Sequence, residues 1–74
     1  MPWGNVRISN VPGRKIYIDG LYDTAIGIAP GPFVVDFGRH TFETLNSNME
    51  VDWRVEVIVS AGRRDISCAL ERIR

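Results

Sequence analysis

The sequence predicts an all-β chain, a small antiparallel β-sandwich of about six or seven strands. Three observations predict it. Apolar residues recur with a period of two, not the 3.6 of a helix. Turn-forming residues interrupt the apolar runs every eight to twelve residues or so. β-Branched residues dominate the alternating stretches.

The first stretch is Val6 to Ser9, with Val6 and Ile8 on one face and Arg7 and Ser9 on the other. The second is Lys15 to Asp19, where Ile16 and Ile18 point inward and Tyr17 outward. The clearest is Val51 to Val59. Val51, Trp53, Val55, Val57 and Val59 line one face there, and Asp52, Arg54, Glu56 and Ile58 the other. A last run sets Ile66, Cys68 and Leu70 against Asp65, Ser67, Ala69 and Glu71. Its Ala-Leu-Glu-Arg end has helical propensity, but the alternation and the β-branched residues favour a strand.

The breaks have turn chemistry. Pro12-Gly13 separates the first two strands, and Asp19-Gly20 is a tight-turn signal at the end of the second. Pro30-Gly31-Pro32 breaks the middle, Asn46-Ser47-Asn48 precedes the long strand, and Ala61-Gly62 joins that strand to the last run as a closing hairpin. Repeats and linkers are absent, so residues 1–74 are expected to form one domain.

The 74 residues bound the function. A core this small rarely supplies more than about 3–5 kcal/mol of net stability. Cys68 is the single cysteine, so no internal disulfide is available, and one Cys with one His cannot complete a zinc site without carboxylates. Nine basic and nine acidic residues cancel. They also balance within each half, so nucleic acid is not an expected partner. Every cation but Lys15 is arginine, which suits planar, partly desolvated pairing. No apolar run approaches the roughly 18 residues of a membrane span, and no signal peptide is expected in Met1 to Gly4 and beyond.

Individual residues give little chemistry. His40 has acids nearby in sequence but no nucleophile motif, and reads as a corner histidine that bonds a loop. Cys68 alternates with Ile66 and Leu70 and is expected in the core. Asp19, Asp23 and Asp36 lack calcium-loop spacing, and the glycines form neither phosphate nor dinucleotide fingerprints. No cofactor or metal is expected, and catalysis is not. Tyr17 points away from Ile16 and Ile18, and outward aromatics beside arginine mark recognition surfaces. Tyr17, Tyr22 and Arg14 are the candidate partner contacts.

The order of these pieces resembles a PEGA domain. Val6-Arg7-Ile8-Ser9 matches that family's first strand, and Pro12-Gly13-Arg14 stands at its name-giving turn. Ile16-Tyr17-Ile18-Asp19-Gly20 matches the next element. Gly27-Ile28-Ala29-Pro30 stands at the Gly-x-Thr-Pro turn and Gly38-Arg39-His40 at the Gly-x-His corner. The turn lacks its Glu and its Ala, and Ala29 replaces the Thr. The resemblance implies a sandwich fold, surface display outside the cytoplasm, and a non-catalytic binding or spacer role. The partner is then a protein, a glycan or copies of the chain itself. The competing expectation is a self-assembling structural subunit of a virion, filament or surface layer. The run Val55 to Val59 bears on it. With one charge and no proline, it invites pairing if its edge is open. That edge is expected to be paired, within the chain or by a neighbour, leaving the first or last strand as the contact edge.

Overall fold

The alternating runs become strands in a computed structural model that describes residues 2–74. They are β1 (Trp3–Ile8), β2 (Lys15–Ile18), β3 (Gly27–Ile28), β4 (Phe33–Asp36), β5 (Gly38–Leu45), β6 (Val51–Val59), β7 (Asp65–Cys68) and β8 (Glu71–Arg72). A three-stranded sheet has the order β4-β1-β7, and a five-stranded sheet the order β3-β2-β5-β6-β8. No helix occurs among the described residues, and so none is long and apolar enough to cross a membrane.

The period of two decides what is buried, because successive side chains leave a strand on opposite faces. Val6 and Ile8 of β1, Phe33 and Val35 of β4 and Ile66 of β7 meet Ile16, Phe42, Val57 and Val59 of the larger sheet in one core. Each such side chain contributes about 1.5–3 kcal/mol relative to its exposed state. Gly4 belongs to this packing. A methyl group there would lie 2.5 Å from the Arg64 carbonyl oxygen and 2.5 Å from a Val59 methyl, so β1 approaches its neighbours only because position 4 has no side chain.

The turns follow their residues. Asp19 and Gly20 both adopt positive φ (53° and 73°), and the Leu21 N–H closes the turn on the Ile18 carbonyl. That is the primed geometry for which Asp-Gly is suited. In the β5–β6 loop, Asn46 Oδ1 accepts the N–H groups of Asn48 and Glu50. The asparagine side chain thus replaces backbone partners that the loop lacks.

Four expectations need correction. The eight strands exceed the expected number because β3 and β8 are two residues each, too short to show alternation. The sheets are not wholly antiparallel, since β7 runs parallel to β1, with Asn5 opposite Asp65 and Ile8 opposite Cys68. Residues Val51 to Leu70 are therefore no hairpin. The turn after β6 carries the chain into the other sheet, where Ile66 joins Val6 on the inner face. Asn10 then brackets Leu70, accepting its N–H and donating to its carbonyl at 2.9 Å each, and the chain crosses back as β8.

Finally, the contact edge differs: among the described residues the outer edge of β6 is paired within the chain only near Trp53 and Arg54, by β8. The Asp52 carbonyl receives the Ile73 N–H on that side. By alternation the main-chain groups of Glu56 and Ile58 point the same way, past the end of β8. β1 is the centre of its sheet and not a contact edge.

Candidate functional site

Tyr17 lies on the outer face of β2, opposite Glu43 of β5, which in turn lies opposite Arg54 of β6. The three side chains form one row across the larger sheet. The Asp19-Gly20 turn folds the following loop back over this row, so that the Tyr22 ring rests 6.1 Å from the Tyr17 ring, tilted by 58°. This is the tilted arrangement that aromatic quadrupoles favour. The Tyr22 hydroxyl donates to Glu43 Oε1 at 2.6 Å. Arg54 reaches Glu43 Oε2 through Nε at 2.7 Å and Nη2 at 2.6 Å.

Glu43 is buried although it stands on an outward face, because the tyrosines and the arginine roof it over. Its hydrogen bond raises the Tyr22 phenol above its ordinary value, and burial and the carboxylate's charge act in the same direction. Arg54's own bond to Glu43, and the charge of that carboxylate, hold it more firmly protonated. The result is a surface of two part-exposed aromatic rings over a satisfied ion pair.

Arg14 does not join that surface. Its Nη2 donates to the Leu45 carbonyl at 3.0 Å and meets Asp52 Oδ2 at 3.0 Å. The Thr44 hydroxyl donates to the other Asp52 oxygen. Burial acts to raise the Asp52 pKa, but the bonds from Thr44 and Arg14 outweigh it and hold the acid below its usual range. Arg14 is thus a brace at the β5–β6 corner, its side chain still partly exposed.

His40 begins the inner face of β5. Its Nδ1 lies 2.8 Å from Asp19 Oδ2, and its Nε2 lies 2.8 Å from the Asp36 carbonyl oxygen and 3.0 Å from Asp36 Oδ1. The other Asp19 oxygen accepts the Thr41 N–H at 2.9 Å. Burial acts to lower the His40 pKa, but the bonds and charges of Asp19 and Asp36 reverse this and leave it above 6.5. Both ring nitrogens are occupied, and neither contacts a hydroxyl or thiol. Cys68 is half-buried against the core, and burial raises its thiol pKa. Among the described residues no group of three or more His, Cys, Asp or Glu side chains is arranged to hold a metal ion.

Sequence reading missed the Glu43–Arg54 and Thr44–Asp52 partnerships. A signal existed: the Asn46 turn fixes the β5–β6 register, and that register sets Glu43 beside Arg54. Thr44 and Asp52 were not readable in this way, because the ladder shifts at Thr44/Leu45.

No family model, curated protein or solved structure matches the chain.

Proposed function

We propose that this chain is a non-catalytic, PEGA-like binding module that recognises a protein or glycan partner through the Tyr17–Tyr22 surface. The tilted tyrosine pair over the roofed Glu43–Arg54 pair carries this reading. Tyrosine presents large amphipathic area at little conformational cost, and Tyr22 is pinned before any partner arrives. The titratable groups fit the same role. His40, Glu43 and Asp52 are each held by neighbouring side chains in structural bonds. Two arginines lie along the chain's own aromatic faces: Arg72 stands 6.0 Å from the Trp53 ring and Arg64 5.7 Å from that of Phe37. Display at a cell envelope belongs to this reading through the family resemblance.

Screening on glycan and peptide arrays tests it. Wild-type chain should give specific binding that the Tyr17→Ala/Tyr22→Ala double variant loses while keeping a cooperative melt. Binding unaffected by the double variant would sink the proposal. A second reading, the self-assembling subunit, is favoured by the uncovered edge of β6 beside the exposed Ile58. Light scattering separates the two. A mass constant over an about hundredfold concentration range supports the module, and growth with concentration supports the subunit.

A further inference from the structure

Strand β4 is an edge of the smaller sheet. On β1, the Ile8 N–H reaches the Pro30 carbonyl on the β4 side, and the Asn5 N–H reaches the Arg64 carbonyl on the β7 side. Main-chain groups alternate sides along a strand, so the bonded pairs of the β1–β4 ladder are Val6 with Phe33 and Gly4 with Val35. Val34 and Asp36 therefore turn their N–H and C=O groups outward. The Asp36 carbonyl agrees, since it accepts from His40 on the side away from β1. Among the described residues no strand pairs with this edge.

Beside it lies an open cleft of about 340 Å³, set between β4 and the β2–β3 side of the larger sheet. Ile18, Ile26, Pro32 and Val34 line it, together with the Asp19–His40–Asp36 cluster. Ile26 is 40 % exposed and Val34 is 69 % exposed, so the apolar wall is accessible. Two carboxylates here face one imidazole, which leaves negative charge uncompensated at the Asp36 end.

We propose that the outer edge of β4 receives an extended peptide by antiparallel strand addition, with lysine or arginine opposite Asp36, a bulky apolar residue in the cleft and a second apolar residue opposite Val34. An extended backbone is the ligand that supplies alternating donors and acceptors to such an edge. Antiparallel pairing is the stronger geometry per residue. The side chain opposite Val35 shares its inward face and so enters the cleft toward Ile18 and Ile26. Those opposite Val34 and Asp36 share the outer face, where apolar area and a carboxylate await them. Two other open stretches lack this combination. The hollow beside Glu56 is polar, and β7 presents Asp65 and Ser67. This site is separate from the tyrosine surface and does not depend on it.

The test uses the full chain, isotope-labelled, and the capped peptide Ser-Thr-Lys-Ile-Val-Thr-Ser. Saturable shifts are expected at the amides of Val34, Val35, Asp36 and Ile26, with slowed exchange at Val34 and Asp36. N-methylating the peptide's valine removes its bond to the Val34 carbonyl and should weaken binding at least about tenfold. N-methylating its isoleucine, whose N–H faces away, should not. Replacing the lysine by glutamate should also cost at least about tenfold, and Asp36→Asn should narrow that gap. Absence of saturable shifts, shifts centred on Glu56 to Ile58, or the opposite methylation pattern overturns the proposal. So does protection of Val34 that grows with protein concentration in the absence of peptide, which would make a second copy the occupant.

Discussion

Glu43 and Arg54 face each other across the β5–β6 ladder, and two arginine nitrogens, Nε at 2.7 Å and Nη2 at 2.6 Å, reach one oxygen of a carboxylate that is 2 % exposed. Such a pair resists loss of one partner more than its surface position implies. Removing the cation leaves a shielded anion, whereas an open pair leaves two hydrated groups. Arg54→Gln is expected to lower the melting midpoint clearly. Arg39→Gln, which breaks the exposed Arg39–Glu56 pair at 3.8 Å, is expected to change stability by no more than about 0.5 kcal/mol. Thermal melts of the two variants at equal ionic strength check this. Equal shifts would show that roofing by the tyrosines does not matter.

His40 predicts a dependence on pH above about 6.5. Its folded-state pKa is raised above 6.5, so protonation favours the folded chain. That contribution is complete below the unfolded value of about 6.5 and is lost as pH rises through the higher folded value. The urea midpoint should therefore fall as pH is raised through that window. His40→Gln should flatten the fall, and the imidazole resonance should titrate above 6.5. A midpoint that rises across the same range contradicts the assignment.

Thr44 and Asp52 predict the opposite limb. A lowered Asp52 pKa stabilises the fold above the unfolded value of about 3.8, and the contribution is lost as pH falls through the folded value. Thr44→Val removes a hydroxyl that donates to a charged acceptor, at a fully buried position. About 1.5–3 kcal/mol should be lost at neutral pH, with a shallower acid limb. Chemical denaturation at neutral and acid pH measures both effects.

Gly4→Ala should destabilise by about 1–3 kcal/mol. The new methyl has the Arg64 carbonyl and a Val59 methyl in its place, and the carbonyl is backbone that cannot turn aside. Gly62→Ala, where a Cβ meets open space, is the control. Matching melts for the two variants would show that β1 lies elsewhere.

Hydrogen exchange should divide β6 by parity. The amides of Val55, Val57 and Val59 point into the β5 ladder and should be among the slowest. Those of Glu56 and Ile58 point past the end of β8 and should exchange faster in dilute solution. Slow exchange at all five positions, independent of concentration, would mean that the outer edge is covered within the chain.

Alternation along the chain determined the strands and the faces they bury. Val6 and Ile8, Ile16, and the Val57–Val59 end of the long strand carry their own instruction, because the strand period sends every second side chain inward whatever the neighbour is. Turn residues were equally legible: Asp19-Gly20 has a local conformational preference that needs no partner. Strand pairing was decided only in three dimensions. Ile66 pairs in register with Val6 and not across a hairpin from β6, and nothing in the alternation of either run distinguishes those neighbours. The candidate sites divide in the same way. Tyr17 was readable as outward-facing, but its company was not. Tyr22, Glu43 and Arg54 come from three separate segments, and the Asp19–His40–Asp36 cluster from two sheets' worth of corners. Backbone register and turn direction bring such groups within hydrogen-bonding distance, and both are properties of the packed sheets rather than of any one segment.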